Sequence, residues 1–235
     1  MSLDGYLDSA TGDRLVLSNS GDLDRVDSVR ASCDAILVGA GTVRSDDPRL
    51  LVRAPHRREG RVSLGKPPSP IKVTVTGGGS LDAGARFFTV GAGDKLVYAA
   101  GSALAEARAR LGSVATVVDA GRAGAEIAPG AGDAVSMRWL SEDLGARGVQ
   151  RLLVEGGGRV HTPFLTEDLA DELHLVVAPF FVGDSRAVRF VTDGDFPFHP
   201  GRRAALAQVR QIGDVVLLRY ALSPRFADRT TAATP

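Results

Sequence analysis

The chain has 235 residues, and its length and composition fit one globular α/β domain. Hydrophobic residues make up 44% of it and charged residues 24%, while 28 basic residues balance 28 acidic ones to a formal net charge of +0. Because no net positive field exists, binding to nucleic acid or to an anionic membrane is not expected. Cys33 is the only cysteine, which excludes an internal disulfide and a thiolate zinc cluster.

The first residues, MSLDGYLD, lack the basic and apolar regions of a secretory signal. No apolar stretch reaches transmembrane length either, so we expect a cytoplasmic protein. The four histidines are not spaced as metal ligands, and we therefore expect no metal site.

The first predicted elements are a helix from Ser20 to residues 30–34 and a strand at residues 35–38. That strand is a continuous apolar run, AILV, which is typical of a strand buried on both faces in a parallel sheet. Residues 39–42, GAGT, follow its carboxyl end, which is where open α/β sheets bind ligands. This segment is the first candidate site.

Strands and helices alternate along the middle of the chain, which indicates βαβ units and a mainly parallel sheet. The predicted strands are residues 71–76, 95–100, 114–118 and 151–155, and the predicted helices are residues 102–111, 141–147 and 156–165. Residues 53–70 contain four prolines and several arginines, and we predict an exposed loop there.

The C-terminal part differs, because three predicted strands follow one another with little helix between them. They are residues 173–178, 205–212 and 215–221, with a hairpin turn at residues 211–215. We therefore predict one α/β domain over residues 1–222, with a mostly parallel central sheet, flanking helices and an antiparallel C-terminal edge. Residues 223–235 are predicted to form a disordered tail.

Three successive glycines, Gly156, Gly157 and Gly158, form the second candidate site. Glycines let the backbone approach a ligand closely, and the helix that follows presents unpaired N–H groups to an anion such as a diphosphate. A flexible turn with no ligand explains three glycines equally well. Arg44 stands where a third glycine would complete G-x-G-x-x-G after the first strand, so a standard Rossmann site is disfavoured.

The charged residues near both sites also allow two interpretations. Glu155 ends a buried strand, so its carboxylate must be paired, solvated or used on a ligand. Asp46 and Asp47 precede a proline, where an Asx turn is the common outcome. Arg30 and Arg53, each taken alone, fit solvated surface arginines.

Three motifs in order carry a resemblance that no single segment carries. They are SLDG at residues 2–5, RASCDAILVGAGTVRSDDPRLLVR at 30–53 and LLVEGGGRVHTPFL at 152–165. Together they resemble the pyrimidine reductases of riboflavin biosynthesis, which comprise the reductase domain of the bifunctional deaminase–reductase and its stand-alone relatives. The resemblance covers residues 2 to about 222 and implies a dihydrofolate reductase-like, three-layer α/β/α fold.

The resemblance also implies an activity. It implies an oxidoreductase that uses NADPH to convert the ribosyl group of a 5-amino-6-(5-phosphoribosylamino)uracil-type nucleotide to the ribityl chain. Hydride transfer is then the chemistry of the cofactor, and the protein binds and orients. Relatives are homodimers, and the apolar C-terminal strands are the candidate interface.

Site residues follow from the same resemblance. The cofactor-contacting residues are Gly41, Thr42, Asp46 and Thr76, with Gly157, Gly158, Arg159, Val160 and His161 after the EGG motif. The substrate-contacting residues are Arg30, Leu50, Arg53 and Glu155, and the candidate catalytic residues are Asp46 and Glu155. Two arginines suit a phosphate monoester, and a carboxylate suits the amino groups of a pyrimidine.

The chain departs from the family pattern in three places. Arg14 and Val16 stand where relatives carry a serine and a tryptophan that touch substrate and cofactor; Arg14 can add phosphate affinity, but an aromatic surface is lost. The strand that precedes SLDG in relatives is missing, and we expect the true start to lie upstream of Met1. The zinc-ligand patterns of the deaminase domain, H-x-E and P-C-x-x-C, are absent, so we expect no deamination.

Two alternatives stay open. One is a reductase of the same fold that acts on another pyrimidine- or pterin-like substrate in secondary metabolism. The other is a non-catalytic nucleotide-binding relative, against which the intact Thr42, Asp46 and Glu155 speak. The sequence does not distinguish a uracil from a diamino-pyrimidinone substrate.

Overall fold

The computed structural model describes residues 1–11, 15–121 and 135–226. The chain divides into two compact units, one formed by residues 26–156 and the other by residues 1–25 together with residues 157–235. In the described part, no helix is both long and apolar enough to cross a membrane. The elements in chain order are α1 (Ser20–Ser32), β1 (Ala35–Gly39), α2 (Ala40–Asp46), α3 (Pro55–Ser63), β2 (Ile71–Thr76), α4 (Arg86–Thr89), β3 (Lys95–Ala99), α5 (Ser102–Leu111), β4 (Thr116–Asp119), α6 (Met137–Ala146), β5 (Leu152–Val154), α7 (Gly158–Thr166), β6 (Glu172–Val177), β7 (Ala205–Ile212) and β8 (Val215–Ala221).

The unit of residues 26–156 is built on a parallel sheet with the strand order β4-β3-β2-β1-β5. Ala35 of β1 pairs with Ile71 of β2 on one side and with Leu152 of β5 on the other. All five residues of β1 are buried, which confirms the prediction of a strand covered on both faces. The apolar core of this unit contains Ile36 and Val38 from the same strand.

The predicted loop at residues 53–70 is wrong in part, because α3 occupies residues 55–63. Pro55 lies in the first turn of this helix, where a fixed φ and a missing N–H favour a helix start. The buried guanidinium of Arg61 donates to the carbonyl oxygens of Ala31, Cys33 and Pro67 at 2.6–2.8 Å, which attaches α3 to the end of α1. These contacts are tertiary, so the local proline content indicated a loop instead.

The unit of residues 1–25 and 157–235 contains an antiparallel sheet with the strand order β6-β8-β7. The hairpin predicted at residues 211–215 is confirmed, and Gly213 takes the positive φ of 60° that its turn requires. The predicted fold class is confirmed, with one difference. The antiparallel strands form a sheet of their own, whereas the described edge strands of the parallel sheet are β4 and β5.

Part of the predicted C-terminal tail is described and makes contacts. The side chains of Ser223 and Arg225 donate to a carboxylate oxygen of Asp171 at 2.6 and 2.8 Å. Residues 227–235, the rest of the predicted tail, lie outside the described residues.

Candidate active site

The parallel sheet brings several predicted site residues to its carboxyl edge. Strands β2, β1 and β5 are neighbours, and because they are parallel their carboxyl ends lie at one edge. Thr76 ends β2, Gly41 and Thr42 follow β1, and Glu155 follows β5. The amide of Glu155 donates to the carbonyl oxygen of Leu37 at 2.9 Å, which continues the pairing of β5 with β1.

Helix α2 begins directly after β1 and carries three of the predicted cofactor residues. Gly41, Thr42 and Asp46 all lie on this short helix, and Thr42 and Asp46 are four positions apart, which places them on one face. A Cβ added to Gly41 would meet no atom within 4 Å, so this turn of the helix is open. Asp47, with φ 42°, ends the helix in the left-handed conformation.

Thr76 is 2% exposed, and its hydroxyl shapes the turn that follows β2. The hydroxyl oxygen accepts a hydrogen bond from the amide of Gly79 at 3.0 Å. Gly79 has φ 69°, and a Cβ there would lie 2.6 Å from the carbonyl oxygen of Ala103, so only glycine fits. The Thr76 hydroxyl therefore has a structural partner, and its own proton is left for a second one.

Arg30 and Glu155 form an ion pair with two hydrogen bonds. Nε of Arg30 lies 2.7 Å from Oε1 of Glu155, and Nη2 lies 2.5 Å from Oε2. Burial lowers the pKa of the Arg30 guanidinium, but the hydrogen bonds and the charge of Glu155 outweigh it and raise that pKa above its usual value. The pair fixes the plane of the Glu155 carboxylate at the end of β5.

This pairing was not foreseen, because the resemblance gives both residues separately to the substrate. The two residues are 125 positions apart, and no local pattern indicates that they meet. Each oxygen of Glu155 keeps a second lone pair for an amino group. Arg30, in contrast, already has an anionic partner.

Arg53, in the segment that also contains Leu50, differs from Arg30 because its charge is not paired with a carboxylate of the described residues. Leu50 has φ 47°, a conformation rare for residues other than glycine, and its side chain is buried in the apolar core. Arg53 is exposed, and the described residues provide its guanidinium with no hydrogen bond or ion pair. Of the two arginines predicted to bind phosphate, Arg53 has its charge available.

The predicted cofactor residues after the EGG motif lie at the start of α7, in the other compact unit. Gly157 is the N-cap residue, with φ −65°, and a Cβ there would meet no atom within 4 Å. Gly158 is different, since a Cβ would lie 2.8 Å from the carbonyl oxygen of Arg189. In the first turn of α7, Arg159 is exposed and Val160 is buried.

His161, the last of these residues, faces the same segment as Gly158. Its Nδ1 lies 3.2 Å from the carbonyl oxygen of Phe190, and the two rings are 5.2 Å apart between centroids. At the next residue, Oγ1 of Thr162 accepts from the amide of Thr192 at 2.8 Å. Residues 189–192 therefore support the N-terminal half of α7.

The SLDG motif in turn supports residues 189–190. Tyr6, directly after the motif, pairs with Arg189, whose guanidinium donates to the Tyr6 hydroxyl at 2.9 Å. Asp4 accepts from the hydroxyl of Ser2 and from the amides of residues 182 and 183, which lowers the pKa of Asp4 to about 2. The motif thus has a structural role that its sequence alone did not indicate. The sequence also gave no sign that Arg189 contacts Tyr6, because the two residues are far apart in the chain.

The remaining predictions concern residues 14 and 16 and the absence of a metal site. Arg14 lies outside the described residues. Val16 is 81% exposed, and it offers no aromatic surface at the position to which the resemblance assigns a tryptophan. In the described ranges, no three His, Cys, Asp or Glu side chains are grouped as metal ligands.

Comparison with known proteins identifies the family of the chain. Residues 1–218 match the family model of the RibD C-terminal domain. The chain is 33% identical over 225 residues to the 2,5-diamino-6-ribosylamino-4(3H)-pyrimidinone 5′-phosphate reductase of Archaeoglobus fulgidus, covering 96% of this chain and 94% of the relative. It is 34% identical over 195 residues to the reductase of the same name from Methanothermobacter thermautotrophicus, covering 83% and 81%.

A solved structure agrees on the fold. The crystal structure of a pyrimidine reductase-like protein from Corynebacterium diphtheriae superposes with a TM-score of 0.72 at 19% identity, covering 94% of this chain and 88% of that one. The motifs, the fold and these matches over nearly the whole length lead to one conclusion. The chain belongs to the RibD C-terminal domain family, the pyrimidine reductases of riboflavin biosynthesis.

Proposed function

We propose that this chain is an NADPH-dependent reductase that converts the ribosyl group of a phosphorylated ribosylaminopyrimidine to the ribityl chain. The observation that carries the proposal is the meeting of Thr76, Thr42 and Glu155 at one carboxyl edge, in a chain of this family. A nicotinamide cofactor follows from the family of reductases, and the choice of NADPH is part of the proposal.

Two glycines support a cofactor at these residues. Gly157 has an ordinary φ and open space in place of a side chain, so neither conformation nor packing requires glycine there. Gly41 is equally open. Gly157 is also an N-cap residue, a position that favours glycine, but Gly41 lies inside α2, where glycine is unfavourable. Close approach of a ligand to the backbone accounts for both glycines, and the N-terminus of α7 favours a diphosphate.

The cofactor, when bound, supplies the hydride that reduces the first carbon of the ring-opened ribose. We assign the cofactor contacts to Gly41, Thr42, Asp46 and Thr76, and to residues 157–161. The protein's part is to hold the cofactor and to keep the reacting groups in register.

On the substrate side, each charged group has a separate task. Arg53 has an exposed guanidinium that suits the phosphate of the substrate. Glu155, with its plane held by Arg30, accepts hydrogen bonds from amino groups of the pyrimidine. Reduction of the sugar also consumes a proton, and Asp46 and Glu155 are the carboxylates we assign to handling it.

The proposal is tested by following NADPH oxidation with the diamino-pyrimidinone and the uracil forms of the nucleotide side by side. The names of two relatives specify the diamino form, so we expect faster turnover of that form. NADH in place of NADPH tests the cofactor choice. Binding of neither cofactor in a fluorescence titration would favour the non-catalytic alternative instead.

The loss of the family tryptophan favours a second candidate function. Val16 is exposed and cannot provide the stacking surface that relatives use at this place. A reductase whose substrate ring is held by other contacts would not need this surface. This candidate would be established if the chain reduced another pyrimidine- or pterin-like substrate and reduced neither of the two riboflavin precursors.

We also propose that the chain forms a homodimer through the antiparallel sheet. One face of this sheet is apolar across all three strands, since residues directly opposite each other share a face. None of its side chains is fully buried, and Val209 is 59% exposed. The apolar residues of this face are Leu173, Leu175, Val177, Leu206, Val209, Val216, Leu218 and Tyr220. Gln211, which pairs with Val216, is a polar residue at the end of the same face.

An apolar face of this extent on a monomer marks an interaction surface. Light scattering at micromolar concentration is expected to give the mass of a dimer. Val209→Glu should shift the mass to that of a monomer, whereas Arg210→Glu, on the opposite face of β7, should not. A monomeric wild-type chain would remove the dimer proposal.

A further inference from the structure

A buried carboxylate on α1 holds the main chain of Arg53. The side chain of Asp27 is 4% exposed. Its Oδ1 accepts from the amide of Arg53 at 2.5 Å, and its Oδ2 accepts from the amide of Ala54 at 3.1 Å and from Nη1 of Arg57 at 2.9 Å. Burying a charge is costly unless it is paired and hydrogen-bonded, and here all three donors meet one carboxylate.

The backbone carbonyl group of Arg53 is also fixed by a hydrogen bond. Nη1 of Arg58 donates to the carbonyl oxygen of Arg53 at 2.8 Å, and the amide of the preceding Val52 donates to the hydroxyl of Ser69 at 3.1 Å. The main chain is therefore fixed on both sides of Arg53. Its guanidinium, in contrast, has no partner among the residues that the structure describes.

The charge of Asp27 does not neutralise Arg53. Arg57 provides the ionic partner of Asp27, and the contacts of Asp27 with Arg53 and Ala54 run through backbone amides alone. Burial raises the pKa of Asp27, but the hydrogen bonds from Arg53 and Arg57 outweigh it and lower that pKa, so the carboxylate stays charged. The positive charge of Arg53 remains available to an anion.

We infer that Asp27 is a positioning residue for recognition of the substrate phosphate. It fixes the backbone from which Arg53 extends, without touching the substrate itself. Small displacements of a binding group weaken its contacts considerably, so loss of this anchor should weaken phosphate binding. The inference rests on the proposed function, in which Arg53 binds the phosphate.

The test is Asp27→Asn in the full chain, measured by steady-state kinetics with NADPH and the phosphorylated substrate. We expect KM for the substrate to rise roughly tenfold, as for a weakened charge-assisted contact. The value of kcat and the NADPH dissociation constant should change little. In an Arg53→Ala background, Asp27→Asn should cause no further rise in KM, because the contact it positions is already gone.

Asp34 provides a matched control. Its carboxylate also accepts from two backbone amides, those of Gln150 and Arg151, and pairs with one cation, Lys66. Asp34→Asn should lower the melting temperature but leave KM for the substrate unchanged. If Asp27→Asn does not fold, Asp27→Ser keeps one acceptor oxygen and should show the same rise in KM.

Three results would overturn the inference in distinguishable ways. If Arg53→Ala raises KM and Asp27→Asn does not, Asp27 has no positioning role, and the proposed function stands. If Asp27→Asn raises KM equally in the wild-type and Arg53→Ala backgrounds, it acts independently of Arg53. If Arg53→Ala itself leaves KM unchanged, the phosphate assignment of the proposed function fails, and the role of Asp27 fails with it.

Discussion

Two regions of the molecule prepare for ligands by different physical means. The arginine segment, residues 50–58, is anchored by Asp27 and Arg58 through its main chain, and it leaves the charge of Arg53 exposed. The glycine segment, residues 157–161 at the start of α7, has open space at Gly157 and a packed backbone at Gly158. Under the proposed function, the first region recognises its ligand by charge, and the second recognises its ligand by the absence of side-chain atoms.

This difference determines how substitutions in each region should weaken ligand binding. Removing a charge weakens a contact but leaves the shape of the site unchanged, whereas adding atoms to a glycine blocks the approach of the ligand or displaces its neighbour. Substitutions in the two regions should therefore affect different ligands and by different amounts.

The largest effect is expected from Gly157→Val. A side chain here would occupy the open space and block access to backbone N–H groups of α7. Loss of two hydrogen bonds to a charged diphosphate, at about 1.5–3 kcal/mol each, would weaken NADPH binding by about hundredfold or more. Fluorescence titration measures this dissociation constant, and KM for the substrate should change little.

Gly145→Val is the matched control for Gly157→Val. Gly145 lies in α6, and a Cβ there would also meet no atom within 4 Å. This variant should bind NADPH as the wild type does. Unchanged NADPH binding in Gly157→Val would mean that no cofactor approaches the start of α7.

Arg53→Ala should have the next largest effect, and on the other ligand. Losing its contact with the phosphate, worth about 1.5–3 kcal/mol, should raise KM for the substrate ten- to hundredfold. The NADPH dissociation constant should stay nearly the same. Arg108→Ala, at an exposed position of α5, is the control for loss of a surface charge.

The opposite result is informative too. If Arg53→Ala weakens NADPH binding and spares the substrate, the two regions have the reverse assignment. If neither Arg53→Ala nor Gly157→Val changes turnover, the site lies on other residues.

Gly158→Ala should affect stability. The added Cβ would lie 2.8 Å from the carbonyl oxygen of Arg189, so one backbone must shift. Overpacking of this kind costs about 1–3 kcal/mol of the free energy of unfolding, which urea denaturation measures. Gly157→Ala, at an open position, should cost less, up to about 1 kcal/mol, because alanine is a poorer N-cap residue than glycine. Equal effects of the two substitutions would remove the distinction between these glycines.

The smallest effect is the expected difference between Arg30 and Arg53 in their energetic coupling to Glu155. A double-mutant cycle of Arg30→Ala and Glu155→Ala, measured by urea denaturation, should give a coupling of about 1 kcal/mol, since the pair is in direct contact. The same cycle with Arg53→Ala in place of Arg30→Ala should give a coupling near zero. A larger coupling for Arg53 would mean that the charge of Arg53 is already used within the protein.

Much of the fold was predictable because it depends on local patterns. The continuous apolar run of β1 predicted a strand buried on both faces, and the alternation of strands with helices predicted the parallel sheet. The segment at residues 53–70 was not predictable in this way. Its prolines indicate a loop, whereas Pro55 starts α3 and the side chain of Arg61 attaches that helix to carbonyl groups of α1.

The sequence by itself determined that Thr42, Thr76 and Glu155 lie at or just after the carboxyl ends of strands, because strand boundaries are local properties. Only the tertiary structure decided which charges are paired. Arg30 and Arg53 look alike in the sequence, yet one is joined to Glu155 and the other is anchored only by its main chain through Asp27. Likewise Gly157 and Gly158 are neighbours, and only the packing of residues 189–190 distinguishes an open position from a filled one. Such contacts join residues far apart in the chain, so the spacing of residue types carries no record of them.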